Sequence, residues 1–514
     1  MSTDQWDAIV IGSGIGGLAC AAALAKTGHR VLVLEKHSIP GGLTQTFSRN
    51  GFTWDVGLHY VGQYGPEESA GKLLNWLSNG RIKMAPMGAV YDTLHFPDGF
   101  EIMLSRPEAA LKLDLKEKFP KAADEIDRYF EVVHQAGDAM MALWSLRVIP
   151  APLAAAYRWW KQKEINRWCG RTTGEVIGEI VTDPKLRAVL SAQWGDYGGS
   201  PKAGSFAMHA TLVSHYFDGA YYPVGGAKVL SEGLIPVIEA GDGAVRVGNA
   251  AMGLIVENGV VVGVRTADGG EHSAKHVFSD IGARETVHRL LPPEMQGSEW
   301  AREILSLQPN ICHFALYLGF EGDIRASGAT VSNQWIYETW DPNEGIWSDP
   351  VSNPDPAMIY VSFGSLKDPS HTPGSRLRHT AEVITWVDWN VVAPWADRPP
   401  AERGSDYPEL KTHVEQRLLR KFKRHFPGLA SMITYHELST PLATVAFTGH
   451  EKGGAYGLET TPRRMLSRAL NAKTPIPGLY LCGQDVVSPG ITGAMFGGVL
   501  AAATLDLRIL QHVS

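Results

Sequence analysis

Gly12, Gly14 and Gly17 stand in G-x-G-x-x-G spacing, and an acid, Glu35, follows them. This set suits a dinucleotide. The first glycine permits a tight turn, the second lets a pyrophosphate approach the backbone, and the third lets helix and strand pack closely. An acid at Glu35 accepts hydrogen bonds from ribose hydroxyls, which favours an unphosphorylated ribose. A second set closes the chain: Gly483-Gln484-Asp485, then Gly490 and Gly493. It again builds a place for a polar cofactor chain beside a helix N-terminus. The candidate proton carriers are His59, His215 and Tyr216, and no pair declares itself as acid and base. His209 and His215 are off the spacing that would set both on one metal, so no metal site is expected.

Elements must hold these residues in place. Residues 7–11 are a short apolar run that reads as a buried strand, residues 15–27 an Ala/Leu-rich helix ended by Gly28, and residues 30–34 a second strand. Gly41-Gly42 follows, and residues 51–62 read as extended chain with Asp55 and His59 as its polar members. Residues 90–96 and 100–104 are strand-like around a Pro-Asp-Gly turn, and residues 107–142 are helical in pattern. A helix-like segment at 205–217 leads into a Gly/Pro turn, where His209, His215, Tyr216, Tyr221 and Tyr222 cluster. They either line an apolar pocket or belong to ordinary core. Residues 245–247, 250–256, 260–266 and 276–280 read as strands that resume a nucleotide-binding domain after an insertion. Residues 309–395 are strand-rich and suit an antiparallel sheet, residues 407–425 form a basic helix, and residues 479–482 and 494–510 a final strand and helix. The two Gly-rich sets lie at opposite ends of the chain, so the cofactor domain is discontinuous. A nicotinamide-only domain does not need the second set; a long two-part cofactor such as FAD does.

The chain has 514 residues, enough for two or three domains. Its formal net charge of −7 gives no basic footprint for nucleic acid. The four cysteines are scattered with no C-x-x-C, which suits a reducing compartment. The N-terminus reads without a secretory leader and the most apolar run, 493–505, is too short to span a bilayer, so the expectation is a cytoplasmic protein with peripheral membrane contact at most. Residues 143–171 are unlike the rest. They hold Trp144, Trp159, Trp160 and Trp168, and six bases against the single acid Glu164. A helix here either lies in a membrane interface or turns its tryptophans inward.

Together the segments VIGSGIGGLA, LVLEKH, GGLTQTF, WDVGLHYVG, FAMHATLVSHYFDGAYYPVGG, RGSDY and GLYLCGQDVVSPGITGAMFGG resemble the flavin-dependent amine-oxidase and phytoene-desaturase superfamily, nearly end to end. Within it the chain is similar to the retinol saturase and carotenoid isomerase branch. The resemblance implies an α/β fold: a discontinuous Rossmann-like, amine-oxidase-like FAD-binding domain (1–85, 225–300 and 440–514) with an inserted α+β substrate domain (86–224 and 301–439) carrying a mostly antiparallel sheet. It implies that Gly12, Gly14, Ile15, Gly16, Gly17, Glu35 and Lys36 bind the ADP half of FAD, with Gly41, Gly42, Leu43 and Thr44 nearby. Ala251 takes the adenine-contact position, where a Val backbone is usual. Gly483 and Asp485 meet the ribityl–pyrophosphate region, and Gly493, Ala494 and Met495 face the flavin.

The implied chemistry is hydride transfer between flavin N5 and a carbon of a long apolar lipid or polyene, with a proton moved at the neighbouring carbon. Saturation, desaturation and isomerisation all remain open. No second G-x-G-x-x-G exists, so a separate electron donor or acceptor is expected. Three rivals stand beside this reading. A fatty-acyl desaturase would differ in its products. A non-catalytic lipid binder like the Rab escort proteins and GDP-dissociation inhibitors would purify colourless. A nicotinamide-dependent dehydrogenase is disfavoured by the C-terminal set.

Overall fold

The computed structural model describes residues 5–149, 151–352 and 355–513. Two sheets organise it. The first has seven strands. Gln5–Ile11 lies at its centre, between Val31–Leu34 and Glu271–Ser279, with Ala244–Arg246 beyond Val31–Leu34. These pairs are parallel and nearly every residue of the two inner strands is buried, which explains their unbroken apolar runs. Leu479–Leu481 joins parallel to Glu271–Ser279, so the end of the chain completes a sheet begun at its start. An antiparallel meander, Ala251–Glu257 and Val260–Thr266, fills the remaining edge.

Helix Ile15–Lys26 is buried on almost all sides. Glycine and alanine make that tolerable, because it must pack on the sheet and on helix Gly490–Ala503 at once. A Cβ added at Gly498 would stand 2.0 Å from the Gly16 carbonyl oxygen, and one at Gly497 2.0 Å from that of Gly483. The two Gly-rich sets therefore touch through their backbones. The last helix starts at Gly490, four residues earlier than its sequence pattern suggests, because Pro489 supplies the extended residue before it.

The second sheet has eight strands and is mostly antiparallel. Its order is Ile433–Ser439, Cys312–Glu321, Arg378–Val387, Met358–Ser362, Asn333–Tyr337, Val90–Phe96 and Phe100–Ser105, with Ile346–Trp347 beside Arg378–Val387. Asn333–Tyr337 runs parallel to Val90–Phe96. Alternation gives each face a core of its own. Phe314, Leu316, Ile359, Val361 and Val383 pack toward helix Asp406–His425. Ala315, Tyr317, Tyr360, Ile384 and Trp386 point the other way, toward helices Ala123–Leu146 and Phe206–His215. Glu382 shares that second face. Among the described residues no helix is long and apolar enough to cross a membrane.

Candidate active site

A cavity of about 1440 Å³ runs from the first sheet to the second face of the other. Gly12, Gly14, Glu35, Gly42 and Ala251 line one end. Asp196, Leu212, His215, Glu382 and Trp386 line the other. Met141, which is 59% exposed, also lines it.

The first end is built from backbone. Gly12 has φ +100°, a conformation that L side chains rarely adopt. Helix Ile15–Lys26 begins after Gly14 with no side-chain cap, so the positive end of its dipole stands at the cavity wall that Gly14, Ile15 and Gly16 form. Glu35 ties this turn to the second strand: Oε2 accepts from Ser13 N–H (2.9 Å) and Ser13 Oγ (2.6 Å), and Oε1 from His37 N–H (2.8 Å). Gly41 N–H donates to the Ser13 carbonyl at 3.0 Å, which folds the second Gly-rich turn onto the first. A Cβ at Gly42 would stand 3.1 Å from Gly14 Cα. Beneath the turn lies Asp280, whose Oδ2 accepts the Gly17 N–H at 2.7 Å. Burial, then Asp485 and Glu35, raise its carboxyl to about 8. This shift favours the protonated form at neutral pH, which does not repel a phosphate. The uncapped helix, the glycine clearances and the neutral acid together fit a pyrophosphate.

The other end is built from side chains. Asp55, Asp92, Asp196 and Glu382 surround one buried cation, Lys367, and four carboxylates cannot all be balanced by it. Their hydrogen bonds divide them. Asp55 accepts from Ala227 N–H (2.9 Å) and from the Tyr222 hydroxyl. Asp92 accepts from Gln193 Nε2 (2.8 Å), Asn333 Nδ2 (2.9 Å) and the Tyr60 hydroxyl (2.8 Å). Burial raises both only to about 6. Asp196 and Glu382 have fewer donors, and burial pushes both well above the usual carboxylate range. These two line the cavity; Asp55 and Asp92 do not. Lys367 donates to the His59 carbonyl (2.8 Å), Ser362 Oγ (2.7 Å) and Asn333 Oδ1, and burial lowers its ammonium to about 7.

Residues 10–77 match a family model described as an NAD(P)-binding Rossmann-like domain. All-trans-retinol 13,14-reductase of Danio rerio is 31% identical over 99% of this chain and 87% of its own length. The chain belongs to this retinol-reductase family. A second Danio rerio relative, 29% identical over 99% of the chain and 87% of its own length, is called inactive all-trans-retinol 13,14-reductase. Family membership thus leaves catalysis to be argued from the site. Prolycopene isomerase of Daucus carota is 26% identical over 99% of this chain and 81% of its own length. An oxidoreductase from Methanosarcina mazei has the same fold, with a TM-score of 0.65 at 19% identity over 96% of this chain and 98% of its own.

In this member of the retinol-reductase family, Gly12, Gly14, Ile15, Gly16, Glu35, Lys36, Gly41, Gly42, Leu43, Thr44, Ala251, Gly493 and Ala494 all line the cavity. Gly17, Gly483, Asp485 and Met495 stand behind its wall. Gly17 and Gly483 pack against Asp280. Asp485 accepts from Ala283 N–H at 2.7 Å and faces the buried Arg464 at 3.7 Å. Met495 is buried, with its sulfur 3.9 Å from the Tyr64 hydroxyl.

The three candidate proton carriers also reach the cavity, but each is constrained. His215 Nε2 accepts Gly62 N–H at 2.8 Å, and burial lowers its imidazole to about 4. Burial and then Lys367 lower His59 to about 3. It stands 3.6 Å from Glu382, and with its imidazole neutral this is no ion pair. Tyr216 stacks on Tyr60 at 4.5 Å, and burial raises its phenol. His209 and Tyr222 are occupied by Tyr129 and Asp55, away from the cavity.

Sequence reasoning missed Asp280, Asp196, Glu382 and Lys367. Asp280 had a signal: it directly follows a strand of the parallel sheet, where ligands of such sheets bind. The other three had none.

Proposed function

We propose that the chain is a FAD-dependent oxidoreductase acting on a carbon–carbon double bond of a long apolar polyene, of the retinoid or carotenoid class. One observation carries this reading: the nucleotide cradle and an apolar chamber are the two ends of a single cavity. Val133, Met208, Leu212, Ile384 and Trp386 supply the chamber's apolar wall. At about 1440 Å³ the space exceeds the roughly 300–1,000 Å³ of a site for one drug-sized ligand, leaving room for a cofactor and a chain end to end. The relatives named for all-trans-retinol and prolycopene support a polyene.

In this reading residues 1–85, 225–300 and 440–514 hold the cofactor and the rest forms the substrate domain. Glu35 and Ala251 receive the adenosine, the Gly12–Gly16 turn the pyrophosphate, and Gly42, Leu43, Gly493 and Ala494 the flavin end. A bound flavin supplies hydride transfer. The protein's residues orient and protect. His215 pins the Gly62 backbone beside Thr492 of the last helix, from which its Nε2 is 3.5 Å, and so fixes the junction between chamber and cradle. The aliphatic and aromatic wall excludes water from the reacting carbons. Electrons are exchanged with a separate partner.

Helix Ala151–Cys169 supports contact with a membrane surface. Trp159 and Trp160 are 86% and 66% exposed, Lys161 and Arg167 flank them, and Ile165 and Trp168 anchor its other side. It follows directly on the segment, Trp144 to Ile149, that lines the cavity.

A visible absorption spectrum of the purified protein tests the reading first. A flavin spectrum is expected, and after anaerobic photoreduction all-trans-retinol or prolycopene should reoxidise the flavin or be isomerised. A colourless protein that stays colourless after incubation with FAD would overturn it and favour a lipid carrier.

A further inference from the structure

We propose that Asp196 is the acid that delivers a proton to the polyene. The inference rests on the polyene reading and assigns to a residue the one step that reading leaves without a group. Hydrogen-bond direction carries it. Lys367 donates to Asn333 Oδ1, which turns the Asn333 amide so that Nδ2 faces Asp92. Gln193 Nε2 also donates to Asp92. Asp92 thus sits among donors and is the carboxylate of the cluster. The Tyr60 hydroxyl lies 2.8 Å from Asp92 Oδ2 and 2.6 Å from Asp196 Oδ2. It has one hydrogen for two oxygen neighbours. Given to Asp92, that hydrogen leaves the Tyr60 oxygen to accept, and the proton between Tyr60 and Asp196 belongs to Asp196. Asp196 is therefore a carboxylic acid on the cavity wall.

The step balances. The Asp196 O–H bond breaks, and the π pair of the double bond forms a new C–H bond at one carbon. The adjacent carbon takes a hydride from a reduced flavin, the two-electron donor of the reading above. Asp196 is left as a carboxylate toward which the Tyr60 hydroxyl can turn, while Asp92 keeps Gln193 and Asn333. Solvent returns the proton between turnovers. Glu382, the other carboxyl on the wall, has no such support: His59 stands 3.6 Å from it, beyond hydrogen-bond length.

Asp196→Asn and Tyr60→Phe test the assignment in the flavin-loaded protein, with all-trans-retinol as the probe. After anaerobic reduction, flavin reoxidation by retinol should slow roughly 100-fold to 10,000-fold in Asp196→Asn, while flavin content and quenching of tryptophan fluorescence by retinol stay near wild type. Infrared spectroscopy supplies a readout independent of turnover. The wild-type minus Asp196→Asn difference should contain a carboxylic C=O band at neutral pH, and that band should shift in Tyr60→Phe. Equal reoxidation rates in wild type and Asp196→Asn, or a difference spectrum with only carboxylate bands, would overturn the assignment. A wild type that binds flavin but ignores both retinol and prolycopene would overturn the polyene reading itself, and the infrared result would still report on Asp196.

Discussion

The two ends of the cavity are made in opposite ways. At the cradle, short-range backbone geometry does the work: a glycine at positive φ, a helix start and an acid on the next strand, all within the first tenth of the chain. At the chamber, side chains from distant segments converge. Asp92 and Asn333 meet because their strands pair in that register, across 241 residues of sequence. Tyr60, Asp196 and Lys367 arrive on three further segments. A backbone cradle tolerates any polar anion of the right shape. A side-chain cluster fixes where protons reside.

Asp280 cuts across this contrast, because it is a buried acid at the backbone end. Its carboxyl is held at about 8, against about 3.9 in an unfolded chain. The folded state therefore binds the proton more tightly. That contribution is complete below about pH 4 and is lost as pH rises through the folded value near 8. The loss is on the order of 5 kcal/mol. Asp280→Asn should abolish it. In denaturant titrations of the apoprotein across this range, the variant should gain on the wild type steadily with pH. Parallel curves would mean that Asp280 is ionised when folded and that the cradle is built around a negative charge.

Lys367→Met attacks the chamber. It removes the buried cation that the four carboxyls surround, together with its bonds to the His59 carbonyl, Ser362 and Asn333, and each buried acceptor left unpaired costs about 1–3 kcal/mol. The lysine has a pH signature of its own, of opposite sign to that of Asp280. Folding lowers it to about 7 from about 10.4, so between these values the unfolded chain binds the extra proton and stability rises with pH. The variant should lose that rise. Flavin content should stay nearly unchanged, since Lys367 does not line the cavity. Loss of flavin from a folded variant would show that the two ends are one cooperative unit.

Gly498→Ala strikes the cradle from the far end of the chain. Its Cβ would press on the Gly16 carbonyl oxygen at 2.0 Å, and relief by backbone shift costs roughly 1–3 kcal/mol. The expected outcome is a lower denaturation midpoint together with flavin loss, whereas Lys367→Met loses stability and keeps its flavin.

This asymmetry explains what could be read from the sequence. The Gly-rich sets, the alternating strands and the break in the first sheet follow from local turn chemistry and periodicity, which a linear chain displays. Asp196 and Lys367 carry no local pattern: one closes a short turn after Ser191, the other a single-turn helix before Asp368. Their meaning is set by strand register and by burial, which are tertiary. The histidines drew attention by residue type, yet burial lowers both imidazoles and raises the Asp196 carboxyl, a tertiary effect that residue type does not display.

The smallest effect on stability is expected outside both ends, on helix Ala151–Cys169. Among the described residues Trp160 meets Tyr157 and Lys161 of its own helix, and Trp159 is 86% exposed. Replacing both by Ser should change unfolding free energy by no more than about 0.5 kcal/mol. Membrane contact makes a different demand of them. Wild type should sediment with vesicles containing anionic phospholipid, less so as salt is raised, and the double variant should stay in the supernatant. Its turnover of retinol presented in detergent should match the wild type, while turnover of retinol presented in vesicles should fall. A double variant that still sediments would place the contact elsewhere and make the exposed tryptophans a surface for another protein. A clear loss of stability would mean that the rings pack on something the folded monomer supplies, as the inward-turned Trp168 does.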